Sequence, residues 1–425
     1  MSYPTGVECH GGKLRIWFMY QGVRVRENLG VEDTPKNRRV AGELRSSVCY
    51  AIKTGVFNYG ERFPQSVNLK RFGHARRDIT FGELCDKWIE LKEVEICKNT
   101  MQRYISALSV LKGVIGSGCM ASRITVEFVL ELRRTLLIGT QVLKPHHKVA
   151  SEGRSVSTVK SYMTRLNGVL NFAEHSGYIE SNPMAKMQPL RMSRVEPDPL
   201  TKDEFSRVIS ACKNRQDANI WSLAVYTGMR HGELCALAWE DIDLVKGTIV
   251  VRRNFTQVGE YTLPKTESGT NRVINLIDPA LEILRDQAEL TRLGKKQKVT
   301  VVLREYKRKE VHDCTFVFDP SKNMLNGLHG ISYCVGALGR NWTQALRRSG
   351  VRHRNAYQSR HTFACWFLTA GANPSFIASQ MGHANAQMLY QVYGKWMSDN
   401  DNEQLELLNR KIGAIVPLMP QAKSA

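Results

Sequence analysis

The spacing of apolar residues changes along the chain and divides it into segments of different structure. Over positions 14–19 and 23–30, apolar and polar residues alternate, which is typical of β-strands. Between about 79 and 182 the apolar residues recur every three to four positions, which indicates amphipathic helices. The pattern predicts a multidomain α+β protein with four segments: a small sheet-plus-helix domain at 1–75, an all-α bundle at 76–183, a linker at 184–200, and a mainly α domain with a small antiparallel sheet at 201–425.

Residues typical of helix ends place the elements more closely. Thr34 followed by Pro35 predicts a helix start, and Gly55 lies where that helix is expected to end. Thr80 and Glu83 have the spacing of a capping box. Further helices are expected at 99–116, 124–136, 157–177, 202–213, 219–228 and 231–239, from 278 onward, and within 331–349, 359–370 and 374–393. Strands are expected at 247–253, 262–266 and 271–276, and a loop at 139–156.

The chain carries a large excess of basic residues. Lys and Arg total 60 against 40 Asp and Glu, a formal net charge of +20. Because Lys and Arg displace counterions from phosphates, this excess favours a nucleic acid as the partner. In the first segment Arg15 alternates with apolar strand positions, and Arg24 and Arg26 share one strand face. We expect these three arginines to contact DNA, although an ordinary solvated face has the same pattern.

Cysteine spacing and apolar runs narrow the class of protein. None of the ten cysteines forms a C-x-x-C pair, which argues against a zinc ribbon, a redox motif or a disulfide framework. The N-terminal residues contain no apolar signal core, and no apolar run is long enough to span a membrane. We therefore expect a soluble, cytoplasmic protein with no membrane partner.

Two motifs in the last segment contain cations suited to phosphodiester transfer. That reaction needs cations on the non-bridging oxygens, an in-line nucleophile and an acid for the leaving oxygen. The motif TGMRHGEL places Arg230 at a helix start, where Glu233 can hold its guanidinium. The motif PKTESGTNR offers Lys265, reaching from a hairpin, as a general acid. Each motif alone is also compatible with an ordinary helix cap or a solvated lysine.

Two later motifs supply imidazoles and phenols. YQSRHTFACWFL places Arg360 and His361 at a helix N-terminus, which suits an anion. MGHANAQMLYQVYGKW contains His383, Tyr390 and Tyr393. A lone histidine or tyrosine is usually packed in a core or solvated. The order of the residues along the chain (Arg, Lys, Arg-His, His, Tyr) is what supports a reaction.

Taken together, these motifs resemble those of the tyrosine recombinases, and within them the phage-type integrases. TGMRHGEL resembles the first arginine box, YQSRHT the second, and MGH followed by VYGKW the closing Gly-His and nucleophile segments. The resemblance covers the last segment closely and the rest more loosely. It implies an arm-type DNA-binding domain at 1–75, a core-binding domain at 76–183, and a catalytic domain with a C-terminal tail at 201–425.

The resemblance implies a site-specific recombinase that cuts and rejoins DNA through a 3′-phosphotyrosine, and so integrates or excises phage or mobile-element DNA. It implies no requirement for a metal, nucleotide or other cofactor. The implied roles are these: Arg230 and Arg360 clamp the scissile phosphate, Lys265 protonates the leaving 5′ oxygen, His361 assists proton transfer at the nucleophile, His383 hydrogen-bonds the phosphate, Glu233 supports the first arginine, and Tyr393 attacks.

One residue departs from the family pattern. Tyr357 stands where the second box usually has a histidine, and a phenol donates a hydrogen bond but supplies no imidazole. The nucleophile itself is chosen by spacing. Family members place it nine or ten residues after the last histidine, which fits Tyr393 and leaves Tyr390, at seven, too close.

The resemblance also implies the partners. We expect double-stranded DNA attachment sites, a homotetramer on DNA, DNA-bending accessory proteins and an excisionase. Residues 402–420 have apolar positions at helical spacing, and such tails pack onto a neighbouring protomer in the family. Docking of the tail onto its own domain is the alternative.

Two other functions stay open at this point. A type IB topoisomerase has similar chemistry but needs no basic N-terminal module. A non-catalytic DNA-binding regulator on a decayed recombinase scaffold would not need the full set of catalytic residues. A metallonuclease is disfavoured because the carboxylates form no evident metal-binding cluster in the sequence.

Overall fold

The computed structural model describes residues 2–72, 78–139, 153–193, 195–323, 329–397, 405–406 and 408–411. It separates into two compact units. The first comprises Met1–Ile96 and Thr100–Met192, and the second comprises Cys97–Asn99 and Ser193–Ala425. Within the described ranges no helix is both long and apolar enough to cross a membrane.

The first unit begins with a three-stranded antiparallel sheet. Strands β1 (Val7–His10), β2 (Lys13–Tyr20) and β3 (Val23–Glu32) lie in that order, and β2 and β3, which include the two predicted strands, form a hairpin. Helix α1 (Pro35–Thr54) begins at the predicted cap, where the Thr34 hydroxyl accepts a hydrogen bond from the backbone N–H of Asn37. Its apolar residues and those of the inward strand face share one core, to which the short helices α2 (Tyr59–Arg62) and α3 (Leu69–Phe72) also contribute.

Four helices form the second part of this unit: α4 (Phe81–Lys92), α5 (Lys98–Ile115), α6 (Val126–Ile138) and α7 (Val156–His175). The predicted capping box of Thr80 and Glu83 is present at the start of α4. The N-cap of α7 is Ser155, whose hydroxyl accepts a hydrogen bond from the Thr158 N–H. The expected start at Ser157 is therefore two residues too late. Both serines precede an apolar stripe, so the sequence pattern alone did not distinguish them. Most of the expected loop at 139–156 lies outside the described residues.

Among its described residues the second unit has eight helices, of which the first five contribute to a core built on Trp221 and Trp342, whose rings lie 4.6 Å apart, and the last three form a second apolar core. They are α8 (Lys202–Ser210), α9 (Arg215–Thr227), α10 (His231–Cys235), α11 (Asp278–Thr291), α12 (Val335–Ser349), α13 (Gln358–Thr369), α14 (Pro374–Met381) and α15 (Gln387–Tyr393).

The strands of this unit form two small sheets rather than the single antiparallel sheet expected. They are β4 (Ile242–Asp243), β5 (Thr248–Val251), β6 (Asn254–Phe255), β7 (Tyr261–Thr262), β8 (Arg272–Asn275), β9 (Gln297–Val302) and β10 (Lys309–Cys314). The first sheet has the order β4-β5-β8, and the second has the order β10-β9-β7-β6 with β7 and β9 parallel. The β9–β10 hairpin was not predicted, because one face of β10 is exposed and its residues are mostly polar.

Two of the expected helices are shorter than the sequence pattern indicates. The helix expected at 231–239 ends at Cys235, because Ala238 pairs with Phe316 as an isolated β-bridge. Within 374–393, where helix was expected, the chain forms two helices, α14 and α15, and α14 ends at Gly382, which has a φ of +70°. This left-handed backbone turns the chain toward the first sheet, so that a Cβ at position 382 would lie 2.9 Å from the Cα of Gly269.

Candidate active site

The first arginine box is held by a buried carboxylate. Arg230 stands immediately before α10, and its Nη1 lies 3.0 Å from Oε1 of Glu233. The same carboxylate also accepts the backbone N–H of Arg230 at 2.9 Å, and Glu233 is 1% exposed. Burial alone raises the pKa of Glu233, but the charges of Arg272 and Arg230 outweigh it and hold that pKa below its ordinary value. The predicted support of Arg230 by Glu233 is therefore present in the geometry.

Arg272 is a site residue that the sequence analysis did not identify. Its guanidinium approaches the Glu233 carboxylate at 2.6 and 3.0 Å and donates hydrogen bonds to the carbonyls of Gly269 and Gln380. It stands at the start of β8 and is buried. The PKTESGTNR motif ends with this arginine, so its place in the motif that contains Lys265 was the signal available to find it. Arg272 thus joins the first arginine box to the Lys265 segment and to α14.

Arg360 occupies the centre of the site and is 1% exposed. Its Nη1 donates to the carbonyl of Gly228 at 2.6 Å, and its Nη2 donates to the carbonyl of Met381 at 2.7 Å. Gly228 ends α9 with a φ of +61°, and a Cβ there would lie 2.5 Å from the ring of Phe363. Only a glycine brings this carbonyl so close to α13. Burial and the charge of Arg230 lower the pKa of Arg360 to about 10, so it stays cationic at neutral pH.

His383 follows the turn at Gly382 and faces Arg360. Its Nε2 lies 3.0 Å from Nη2 of Arg360. A guanidinium only donates, so Nε2 accepts this hydrogen bond and the proton of the neutral ring is on Nδ1. Burial, followed by the charge of Arg360, lowers the pKa of His383 to about 4. His383 is therefore neutral at physiological pH and presents an N–H donor.

His361 and Tyr393 form a hydrogen-bonded pair. Nδ1 of His361 lies 2.7 Å from the Tyr393 hydroxyl. Burial and the charge of Arg360 lower the pKa of His361, so its imidazole is neutral at pH 7 and can accept the phenol proton. Burial raises the pKa of Tyr393, which is 2% exposed, so the hydroxyl is protonated at rest. Tyr390 is 57% exposed on the same helix.

Tyr357, the residue that departs from the family pattern, stands immediately before α13 and is 41% exposed. Its ring lies 5.4 Å from that of His361 and 6.2 Å from that of His231. His231 donates from Nε2 to the carbonyl of Ala356, and burial lowers its pKa to about 4. Tyr357 is thus positioned by two neutral rings at the edge of the site, and its hydroxyl is the polar atom available for a ligand.

Lys265 is exposed and follows β7, but not on a hairpin. Strands β7 and β8, which flank its segment, belong to different sheets, so the predicted hairpin is wrong and the segment instead connects the two sheets. The hydroxyls of Thr266 and Ser268 donate to the carbonyl of Gly382 at 2.9 and 3.4 Å. The segment that contains Lys265 is therefore hydrogen-bonded to the turn that carries His383. Among the described residues, no hydrogen bond or ion pair joins Lys265 itself to the other predicted site residues.

The predicted DNA-binding arginines lie in the first unit, on the exposed face of its sheet. In the pairing of β2 with β3, Arg15 lies opposite Asn28, and Arg26 lies opposite Trp17. Both Arg15 and Arg26 approach Glu8, at 2.8 and 3.3 Å. The guanidinium of Arg24 stacks on the ring of Trp17 at 4.1 Å. The three arginines share one face, as expected.

The charges of the central site do not balance. Arg230, Arg272 and Arg360 surround one carboxylate, that of Glu233, and the neighbouring histidines are neutral at pH 7. These four charged groups leave a surplus of two positive charges in a largely buried position. Such a surplus is stabilised by an anion, and planar guanidiniums suit the oxygens of a phosphate.

Two solved structures of other proteins have the same fold. The Tn1549 transposon integrase in complex with transposon right end DNA is 20% identical, with a TM-score of 0.59 over 78% of this chain and 99% of that chain. A lambda integrase dimer bound to a COC′ core site is 16% identical, with a TM-score of 0.56 over 94% of this chain and 97% of that chain. At these identities the likeness shows the fold alone, which this chain shares with the two integrases.

The comparison of sequences shows the family. The model of the phage integrase family matches residues 199–397, the phage integrase SAM-like domain matches 68–188, and the arm DNA-binding domain matches 4–67. The prophage integrase IntR of Escherichia coli (strain K12) is 45% identical over 410 residues, 96% of this chain and 99% of that protein. IntQ of the same strain, described as a defective protein, is 52% identical over 89% of this chain and 95% of that protein. The chain belongs to the phage integrase family and is a site-specific recombinase.

We expect Glu233→Gln to destabilise the catalytic domain strongly. The substitution leaves Arg230 and Arg272 buried side by side without a counter-charge, and removal of one partner from a buried ion pair costs about 3–5 kcal/mol. Thermal unfolding of the full chain measures this loss. Glu289→Gln is the matched control, because that carboxylate pairs with Arg215 at the surface and its loss is expected to leave the melting temperature nearly unchanged. Equal shifts for the two variants would contradict a structural role of the buried pair.

Proposed function

We propose that this integrase cuts DNA by attack of the Tyr393 hydroxyl on the scissile phosphate. The observation that carries the proposal is the 2.7 Å hydrogen bond between that hydroxyl and Nδ1 of His361, beside the cation Arg360. In the reaction the phenol proton passes to His361, the Tyr393 oxygen bonds to phosphorus, and the bond from phosphorus to the 5′ oxygen breaks. The 3′-phosphotyrosine keeps the bond energy, and a second DNA end reverses the step.

The scissile phosphate is the anion that the positive surplus fits. Arg230 and Arg360 supply N–H donors to its non-bridging oxygens, where negative charge increases in the transition state. His383 adds its Nδ1–H, since its Nε2 is bonded to Arg360. Tyr357 adds a hydroxyl donor at the edge of the site. Arg272 and Glu233 act through Arg230, because both are buried behind it.

Lys265 is proposed as the general acid for the leaving 5′ oxygen. Lys265 is exposed, and the adjacent Thr266 is hydrogen-bonded to Gly382, the residue before His383. The lysine therefore lies near the groups proposed to bind the phosphate. An ammonium group can transfer a proton to an alkoxide as the bond to phosphorus breaks. His361 at the nucleophile and Lys265 at the leaving group thus divide the two proton transfers.

The nucleophile is tested by Tyr393→Phe. We expect no covalent protein–DNA adduct with a nicked attachment-site substrate, which traps the cleaved state, because the variant has no hydroxyl to attack. Tyr390→Phe is the matched control on the same helix and is expected to form the adduct at the rate of the unsubstituted protein. A Tyr393→Phe adduct would show that another residue attacks. Failure of the unsubstituted protein to form one on any attachment site would instead indicate a DNA-binding protein without catalysis.

The pH dependence of cleavage tests the base. His361 accepts a proton only when neutral, and its pKa is lowered, so we expect single-turnover cleavage to fall only below about pH 6.5, the ordinary histidine pKa. His383, with a pKa of about 4, stays neutral in that range. His361→Gln is expected to be slow and to lack this acid limb. An unchanged limb in that variant would assign the proton transfer to another group.

We propose that the partners are double-stranded attachment sites read by two parts of the chain. The face formed by Arg15, Arg24 and Arg26 contacts arm-type sites, because three cations and the Trp17 ring lie together on an exposed sheet face. The match of residues 4–67 to an arm DNA-binding domain supports this assignment. Glu8 neutralises part of the charge of Arg15 and Arg26, so Arg24 contributes most to phosphate contact.

We propose further that four copies assemble on DNA, with accessory DNA-bending proteins and an excisionase selecting the direction of the reaction. The lambda integrase that shares this fold was solved as a tetramer bound to a Holliday junction. Recombination of two sites requires four strand cleavages, and four active sites supply them. The C-terminal tail, most of which lies outside the described residues, is the proposed contact between protomers.

Sedimentation of the full chain on defined duplexes tests both proposals. Two core-type sites joined in one complex are expected to carry four protomers, and a complex that stays dimeric would contradict the tetramer.

Duplexes with an arm-type site are expected to bind Arg24→Ala about tenfold more weakly, as loss of one or two phosphate contacts implies. Binding of core-type duplexes by Arg24→Ala should be unchanged. Equal weakening on both duplexes would refute arm-specific contact.

A further inference from the structure

The β9–β10 hairpin has no role in the mechanism above, yet it reaches the Lys265 segment. Strand β9 pairs in parallel with β7, the strand that leads into Lys265. Where β9 ends, the chain places Arg304 beside that segment. The hairpin is also hydrogen-bonded to the core of this unit, because Nδ1 of His312 on β10 accepts a hydrogen bond from the buried Arg253 at 3.0 Å.

Arg304 contacts the Lys265 segment at three points. Its Nη2 donates to the carbonyl of Pro264 at 3.1 Å and to the hydroxyl of Thr270 at 2.9 Å. Its Nε lies 2.8 Å from the carboxylate of Glu267. The Arg304 guanidinium therefore joins Pro264, which precedes Lys265, to Glu267 and Thr270, which follow it. Lysine has a single nitrogen and does not span these acceptors in the same way.

The opposite side of the segment is held by the active site. Thr266 and Ser268 donate to the carbonyl of Gly382, and the carbonyl of Gly269 accepts a hydrogen bond from Arg272. The residues on both sides of Lys265 are thus held by two sets of contacts. Gly382 and Arg272 of the candidate active site make one set, and Arg304 makes the other. Residues 264–270 carry the lysine between these two sets of contacts, and the lysine side chain itself remains exposed.

We propose that Arg304 is a positioning residue that orients Lys265 toward the leaving 5′ oxygen. This inference rests on the proposed function of Lys265 as general acid. In that step the bond from phosphorus to the 5′ oxygen breaks, its electron pair goes to the oxygen, and the Lys265 ammonium supplies the proton. Arg304 touches none of the reacting atoms. Its loss releases one side of the segment, so the ammonium is less often in place when the bond breaks.

The test compares a normal substrate with one that needs no acid. A nicked attachment site with sulfur in place of the scissile 5′ oxygen releases a thiolate, and thiols have a pKa of about 8.5 against about 16 for water. Protonation of the leaving group therefore contributes little on the sulfur substrate. General acids contribute roughly 10²–10⁴-fold, so we expect Lys265→Ala to lose at least about 100-fold in single-turnover cleavage on oxygen. We expect little loss on sulfur.

We expect Arg304→Ala to lose roughly tenfold in the cleavage rate on oxygen, less than Lys265→Ala because the lysine itself remains. We expect near-normal cleavage on sulfur and unchanged affinity for DNA. Arg304→Lys should recover part of the rate. The double variant with Lys265→Ala should be no slower than Lys265→Ala alone, because Arg304 acts only through the lysine. Arg308→Ala, on the same hairpin but paired with Glu305, is the matched control and should cleave normally on both substrates.

The outcomes separate the two claims. If sulfur restores Lys265→Ala but not Arg304→Ala, Lys265 is the acid and the inference about Arg304 is wrong. If sulfur restores neither variant, the proposed function of Lys265 fails and the inference fails with it. A defect of Arg304→Ala that is equal on both substrates, or that adds to the defect of Lys265→Ala, would show a general structural role of the hairpin. Recovery on sulfur by both single variants supports the proposal.

Discussion

The buried carboxylate of Glu233 is the constraint on which the rest of the site depends. It is shared by Arg230 and Arg272, and a third arginine, Arg360, lies within the same buried region. Three guanidiniums so close together would repel one another, and one carboxylate reduces that repulsion without cancelling it. The remaining positive charge gives the site affinity for a phosphate before DNA arrives. Carbonyls of Gly228 and Met381 satisfy Arg360 without neutralising it.

The same charge also sets the state of the bases. Burial and Arg360 lower the pKa values of His361 and His383, so both imidazoles are neutral at physiological pH. A neutral His361 can take the proton of Tyr393, and a neutral His383 can bond to Arg360 through one nitrogen and offer the other to a ligand. In the proposed mechanism, Arg360 thus both binds the phosphate and keeps the base unprotonated. A bound phosphate would offset this charge and so favour protonation of His361 as the tyrosine attacks.

The sequence predicted most of the helices, and the structure brings most of the predicted site residues into contact, but the long-range contacts themselves were not predicted. Caps such as Thr34 and Thr80 are local, so their hydrogen bonds follow from neighbouring residues. Arg272 and Arg304 escaped prediction for a different reason. They have partners 39 and 40 residues away, so the residues next to them in the sequence do not reveal these contacts. The turn at Gly382 also has distant partners, because the hydroxyls of Thr266 and Ser268 donate to its carbonyl.

Tyr357 is the residue whose interpretation changes most once the geometry is known. From the sequence, a phenol in place of the usual imidazole removes an acid–base group from the second box. In the structure, the imidazole that contacts the proposed nucleophile is that of His361, at 2.7 Å from the Tyr393 hydroxyl. Tyr357 lies beside that ring and is 41% exposed. In the proposed mechanism the substitution therefore changes a hydrogen-bond donor to the phosphate, while His361 remains as the proton acceptor.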